Sequence, residues 1–173
     1  MYETAQEYTQ RLVGYLGGKT ALSVQKSTPQ KLALLIKRVD KKRLIKRPAP
    51  GKWSVSEVLA HLADSELVVG WRLRAILTSN GTPIQAYDQD VWASTFKYGR
   101  RDSKVSLETF RALRESNLLV LKTVSKNLME NYGMHSERGK ETVTHFTKMV
   151  AGHDLNHLQQ IEQIVKPKRA PKR

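Results

Sequence analysis

Apolar residues return every three or four positions along most of this chain, and that period of about 3.6 restricts it to helices packed on helices. The longest run reads Val58, His61, Leu62, Ser65, Val69, Leu73 and Ile76 as the inward face of a helix predicted from about Val55 to Leu77. Ser54 and Glu57 have the spacing of a capping box at its start. Trp53 and Val58 stand as a hydrophobic staple, and Asn80-Gly81 closes the far end. Another long helix is predicted over Ser106–Leu128, with Phe110, Leu113, Leu121, Val124 and Leu128 inward. The last is capped by Thr142 and ended by Pro167, with Phe146, Met149, Val150, His153, His157, Ile161 and Ile164 on its apolar face. Near the N-terminus, Thr4-x-x-Glu7 caps a helix carrying Tyr8, Leu12, Tyr15 and Leu16, which Gly17-Gly18 stops. Thr28-Pro29 has the form of an N-cap followed by proline, and opens a short helix with Leu32, Leu35, Ile36 and Val39 inward.

Long helices without a strand pattern predict an all-α fold, a four-helix bundle forming a single domain over residues 1–166. Residues 167–173 read as a basic, disordered tail. Residues 81–105 form a long, aromatic-rich connection between the second and third long helices, with a short helix over Asp88–Ser94. Within it, Trp92 and Phe96 either plug the end of the core or wall a pocket, and Tyr87 and Trp92 are the pocket candidates. The stretch from Tyr132 to Glu141, turning at Arg138-Gly139-Lys140, reads as an irregular, hairpin-like connection.

Three histidines fall on the predicted inward faces. His153 and His157 are four residues apart, so one helix presents both to the same point, and His61 comes from another long helix. Burying three imidazoles costs free energy unless each is hydrogen-bonded or ligated, and one metal ion answers all three. Three protein ligands leave coordination positions open, the pattern of a catalytic rather than a structural ion. His145 lies off this face and His135 in the preceding connection, so both read as surface or locally hydrogen-bonded groups. Among nearby acids, Asp64 sits one turn past His61 as a possible partner to a ligand, whereas Asp154 reads as a solvated helix acid. No residue is assigned as a general base.

Composition narrows the chemistry. The chain has no cysteine, which removes disulfides, thiolate ligands and a protein-borne thiol nucleophile. A net charge of +14 is concentrated at Lys37–Lys52 and after Glu162, and would attract anionic substrates or polyanions if it is more than a solvating surface. Nucleic acid is a possible but disfavoured partner, because the basic clusters are not interleaved with aromatics and no nucleic-acid motif is present. No apolar run is long enough to span a membrane and the N-terminal segment lacks the pattern of a signal peptide, so the expectation is cytoplasmic. There is no Gly-rich phosphate loop.

The stretches RPAPGKWSVSEVLAHLADSE (47–66), IQAYDQDVWAS (84–94) and TVTHFTKMVAGHDLNHLQQIEQI (142–164) resemble the DinB/YfiT-like superfamily of bacterial four-helix-bundle, metal-dependent enzymes. The resemblance covers about residues 5–166. It implies that the family's three metal-binding histidines fall on His61, His153 and His157. It also implies a divalent ion, nickel or zinc foremost with manganese or iron as alternatives, and a homodimer. Relatives of this kind include S-transferases and isomerases that use small thiols such as bacillithiol or mycothiol. A low-molecular-weight thiol co-substrate suits a chain without cysteine, and a metal-assisted hydrolase suits the same three histidines. The competing expectation is a non-catalytic, stress-associated protein that binds metal or nucleic acid.

Overall fold

The computed structural model describes residues 3–166; the tail expected to be disordered lies outside them. Four helices form the bundle: α2 (Ala21–Ile36), α4 (Val55–Thr78), α6 (Ser103–Thr123) and α7 (Val143–Val165). Helix α4 lies along α6 and α2 along α7, with α2 against α6 and α4 against α7 closing the ring. A shorter α1 (Ala5–Gly14) packs across α7, and α3 (Lys41–Ile45) leads into α4.

The ends of these helices follow their capping chemistry. The Ser54 hydroxyl accepts from the Glu57 N–H, and the Glu57 carboxylate accepts from the Ser54 N–H at 2.7 Å and pairs with Arg47. Thr4 and Glu7 form the same reciprocal box on α1. Thr142 caps α7 through the His145 N–H.

Two helix starts differ from expectation. Helix α2 opens at Thr20, whose hydroxyl accepts from Ser23, and Thr28-Pro29 lies in its interior. Proline there removes the N–H that would bond the Gln25 carbonyl. Arg114 supplies the missing donor, its Nη1 bonding the Gln25 carbonyl at 3.2 Å, so the helix continues. Helix α6 starts at Ser103 because the Asp102 carboxylate accepts from the Lys104 and Val105 N–H groups, and it ends at Thr123, short of Leu128.

A small sheet corrects the strand-free reading. β1 (Thr82–Ile84) runs parallel to β2 (Tyr132–His135), which pairs antiparallel with β3 (Gly139–Thr142). The expected hairpin is therefore regular, and it recruits a third strand from the aromatic connection. Strands of three and four residues are too short for alternation to register in sequence. The rest of that connection holds α5 (Gln89–Thr95) and a 3-10 turn at Tyr98–Arg100. Neither Trp92 nor Phe96 plugs the core. Phe96 is exposed, while the fully buried aromatic of the segment is Tyr98.

The core divides in two. One apolar cluster gathers Leu32, Val55, Val58, Leu59, Leu62, Phe110, Leu158 and Ile161; the other gathers Leu12, Leu73, Ile76, Leu121, Val143, Phe146 and Val150.

Candidate metal centre

Helices α4 and α7 bring His61, His153 and His157 together. The Nε2 atoms of His61 and His157 each lie 3.1 Å from Nε2 of His153. The three rings meet steeply, with interplanar angles of 60°, 63° and 80°, so their nitrogens point inward to a common position. His61 and His157 are buried and His153 is half-buried. Burial holds all three below the ordinary histidine pKa, and the mutual proximity of the rings adds to this for His61 and His153. They are therefore neutral, the form whose lone pair binds metal.

The surroundings set the tautomer. Nδ1 of His157 lies 2.7 Å from Gln160 Oε1, an acceptor, so Nδ1 carries the proton and Nε2 presents its lone pair to the cluster. Trp53 covers His61 with ring centroids 5.0 Å apart. The Ser65 hydroxyl stands 3.4 Å from the His61 ring nitrogens and 2.9 Å from the Tyr87 hydroxyl. Lone pairs facing one another at 3.1 Å repel unless a proton or a cation lies between them. Two nitrogens each about 2.1 Å from one ion sit close to this separation when roughly at right angles, so the donor set fits a divalent ion.

The acids behave differently from their sequence reading. Asp64 turns away from His61 to accept from Tyr98 Oη at 2.9 Å and Arg101 Nη1 at 2.7 Å. Asp154 is not solvated: it is 1% exposed and accepts a bidentate pair of bonds from Arg114 at 2.5 and 2.9 Å. Arg114 also donates to Glu66 at 2.7 Å, and Asn117 donates to the other Glu66 oxygen at 2.8 Å. Burial opposes the Arg114 charge, but the facing carboxylates of Asp154 and Glu66 outweigh it and hold its pKa above the ordinary value. This network was missed in sequence, although its phase was available. Arg114 and Asn117 fall four and seven residues after Phe110 and belong to the same inward face, where Leu113 is only half-buried.

A cavity of about 410 Å³ opens on the centre and is lined by both His61 and His153. Leu12, Val69, Phe146, Met149 and Val150 form apolar walls, and Ser65, Arg72 and Tyr87 supply polar ones. Tyr87 thus lines the pocket as anticipated. Trp92 packs on it at 4.5 Å between centroids and lines a neighbouring hollow. His135 and His145 stay outside the cluster. His135 is buried in β2, its Nδ1 accepting from the Glu137 and Arg138 N–H groups, and His145 is half-buried in the first turn of α7. Among the described residues, no helix is long and apolar enough to cross a membrane.

Comparison with known proteins agrees with this architecture. The model of the DinB superfamily matches residues 26–161. A "Putative metal-dependent hydrolase" of Oceanobacillus iheyensis is 30% identical over 118 residues, covering 68% of each chain. A protein of the same description from Halalkalibacterium halodurans is 24% identical over 137 residues, covering 79% of this chain and 80% of its own. Among solved structures, YfiT of Bacillus subtilis superposes with a TM-score of 0.78 at 22% identity, covering 83% of each chain. It is described as "a probable metal-dependent hydrolase with an unusual four-helix bundle topology", and at this identity the likeness speaks for the fold. With a helical bundle, a family match over most of its length and relatives that share it, the chain belongs to the DinB superfamily.

Proposed function

We propose that the protein is a metal-dependent hydrolase of a small molecule, with His61, His153 and His157 holding one divalent ion. One observation carries this reading: three neutral imidazole nitrogens converge at a cavity large enough for a small substrate. The names of its relatives support it. A divalent ion bound there supplies Lewis acidity, which polarises a carbonyl and lowers the pKa of water. Imidazole donors suit nickel and zinc.

The chain's own residues do the rest. Gln160 holds His157 with its lone pair inward. Ser65, tied to Tyr87, places a hydroxyl beside His61, where it can hydrogen-bond a substrate oxygen. Leu12, Phe146 and Val150 keep the approach apolar, which strengthens polar interactions inside. A small thiol in place of water would use the same three histidines, and it would have to come from outside, since the chain has no cysteine.

The test is metal analysis of untagged protein together with turnover of a panel of simple esters. About one divalent ion per chain is expected in the parent, with metal and turnover both lost in His157→Ala. Parent protein that is folded, metal-free and indifferent to added zinc or nickel would refute the metal centre. Metal-loaded protein that consumes an electrophile only when a small thiol is added, and hydrolyses no ester, would replace hydrolysis by thiol transfer.

A further inference from the structure

The metal reading leaves one buried charge in the same cavity without a task. Arg72 lies on α4, seven residues after Ser65 and eleven after His61, so all three share one face over about 16 Å of helix. It is 7% exposed, yet no carboxylate pairs with it among the described residues. Its hydrogen bond to protein is from Nη2 to the Gln85 carbonyl at 2.5 Å. The nearby Glu141 is taken by Arg138, through bonds of 2.7 and 2.9 Å. Burial, with the like charge of Arg138, pulls the Arg72 pKa below its ordinary value. A guanidinium stays protonated regardless, so the cost of burying it without a counter-ion is borne by the fold.

Its free donors are not sealed in. The buried side-chain nitrogens and oxygens left without a partner among the described residues are Arg114 Nε and His135 Nε2, so the unbonded Arg72 nitrogens reach open space. That space is the cavity that ends at His61 and His153, and the adjoining hollow beyond Tyr87.

We propose that the cavity takes an elongated monoanion, a carboxylate, anchored by the Arg72 guanidinium while its far end reaches the three histidines. A guanidinium offers a carboxylate two parallel hydrogen bonds. The charge count at this end favours one negative charge over two. Arg138 is paired with Glu141 and Glu3 with Arg11, which leaves Arg72 as the buried charge without a paired carboxylate, while the exposed Glu137 at the rim repels a second negative charge on the ligand. Between anchor and histidines the walls are Val69, Met149 and Val150, which suit an alkyl or aryl body. The role of the far end rests on the hydrolase reading; the anchor does not.

The test is calorimetric binding of octanoate, 1-octanol and octyl phosphate to the protein as purified. Octanoate is expected to bind at least about tenfold more tightly than the alcohol, the effect of a charge-assisted hydrogen bond, and more tightly than the phosphate. The preference should vanish in Arg72→Met, survive in part in Arg72→Lys, and persist in His157→Ala. Persistence in that last variant separates the anchor from the metal centre, so the two can fail independently. Equal binding of acid and alcohol, a preference that outlives Arg72→Met, or tighter binding of the phosphate would each overturn the proposal. Equal binding of acid and alcohol in the parent would overturn the proposal even if a substitution prevents folding.

Discussion

Replacing Arg114 by methionine removes a charge and keeps most of the volume, so the loss should be electrostatic. The guanidinium makes bonds of 2.5 and 2.9 Å to Asp154, 2.7 Å to Glu66 and 3.2 Å to the Gln25 carbonyl. Without it, two carboxylates, each with a side chain at most 2% exposed, face one another uncompensated. Breaking one buried ion pair costs about 3–5 kcal/mol, and orphaning a buried carbonyl about 1–3 kcal/mol more. A deficit of at least about 4 kcal/mol is expected at neutral pH. For a domain of this size that corresponds to a fall in melting temperature of roughly 10 °C or more. The pH dependence gives a second, independent check. Burial already raises the Glu66 pKa above 4.5 by more than Arg114 lowers it, and removing Arg114 raises it further. A carboxylate raised on folding contributes stability that is fully present below its unfolded pKa and is lost as pH rises through the folded value. The deficit should therefore shrink on acidification from neutral pH toward about pH 4–5. Urea denaturation of parent and variant across that range measures both quantities. A deficit below about 1 kcal/mol at neutral pH, or one that acid does not reduce, would refute the account of a charge network spanning the core.

Three further outcomes follow from the same structure. A Cβ at Gly152 would sit 1.9 Å from the Leu12 carbonyl oxygen, so Gly152→Ala must push α1 off α7, at a cost of about 1–3 kcal/mol, with faster amide exchange in α1; unchanged melting would count against the close crossing. Burial, with the charges of Arg138 and Arg72, pushes His135 down to about 4 from 6.5. Its folded pKa lies below its unfolded one, so its contribution is intact above about 6.5 and lost as pH falls toward 4. Stability in that window should be less pH-dependent in His135→Gln, by up to one proton, and identical slopes would contradict this. Added zinc or nickel at about a hundred times its dissociation constant should stabilise the parent by about 2.7 kcal/mol and leave His157→Ala unmoved; equal shifts would place the ion elsewhere.

What could be read from sequence was whatever depends on local phase. Ser54 and Glu57 marked the start of α4, and the helical period then placed His61 inward; the same reasoning put His153 and His157 on one face of α7. What could not be read depends on partners distant in the chain. Thr28-Pro29 has every local mark of a helix start, and the reason it is not one lies eighty-five residues on, in Arg114. Asp154 reads as an ordinary surface acid until α6 delivers a guanidinium to it. The sheet escaped for the opposite reason: β1 is held by pairing with β2, about fifty residues away, and has too little pattern of its own.

Glu66, Arg114 and Asn117 occupy one level of the bundle, and on α4 and α6 that level separates the two apolar clusters. On α4 the first apolar cluster ends at Ala63 and the second begins at Leu73, with Glu66 between; on α6 they end and begin at Phe110 and Leu121, with Arg114 and Asn117 between. Arg114 reaches from there to α2 through Gln25, to α4 through Glu66 and to α7 through Asp154, joining all four helices of the ring. Asp154 is the neighbour of His153, so the bonds that fix the α7 backbone there also fix where His153 enters the centre. Such a layer is poor value as stabilisation, since well-packed apolar residues would serve as well or better. Its use is positional. Apolar side chains tolerate small slips between helices, whereas a bidentate pair at 2.5 and 2.9 Å does not. Three nitrogens drawn from two helices need that constraint to stay within reach of one ion, and a displacement of one helix by about 1 Å would be enough to spoil a metal site.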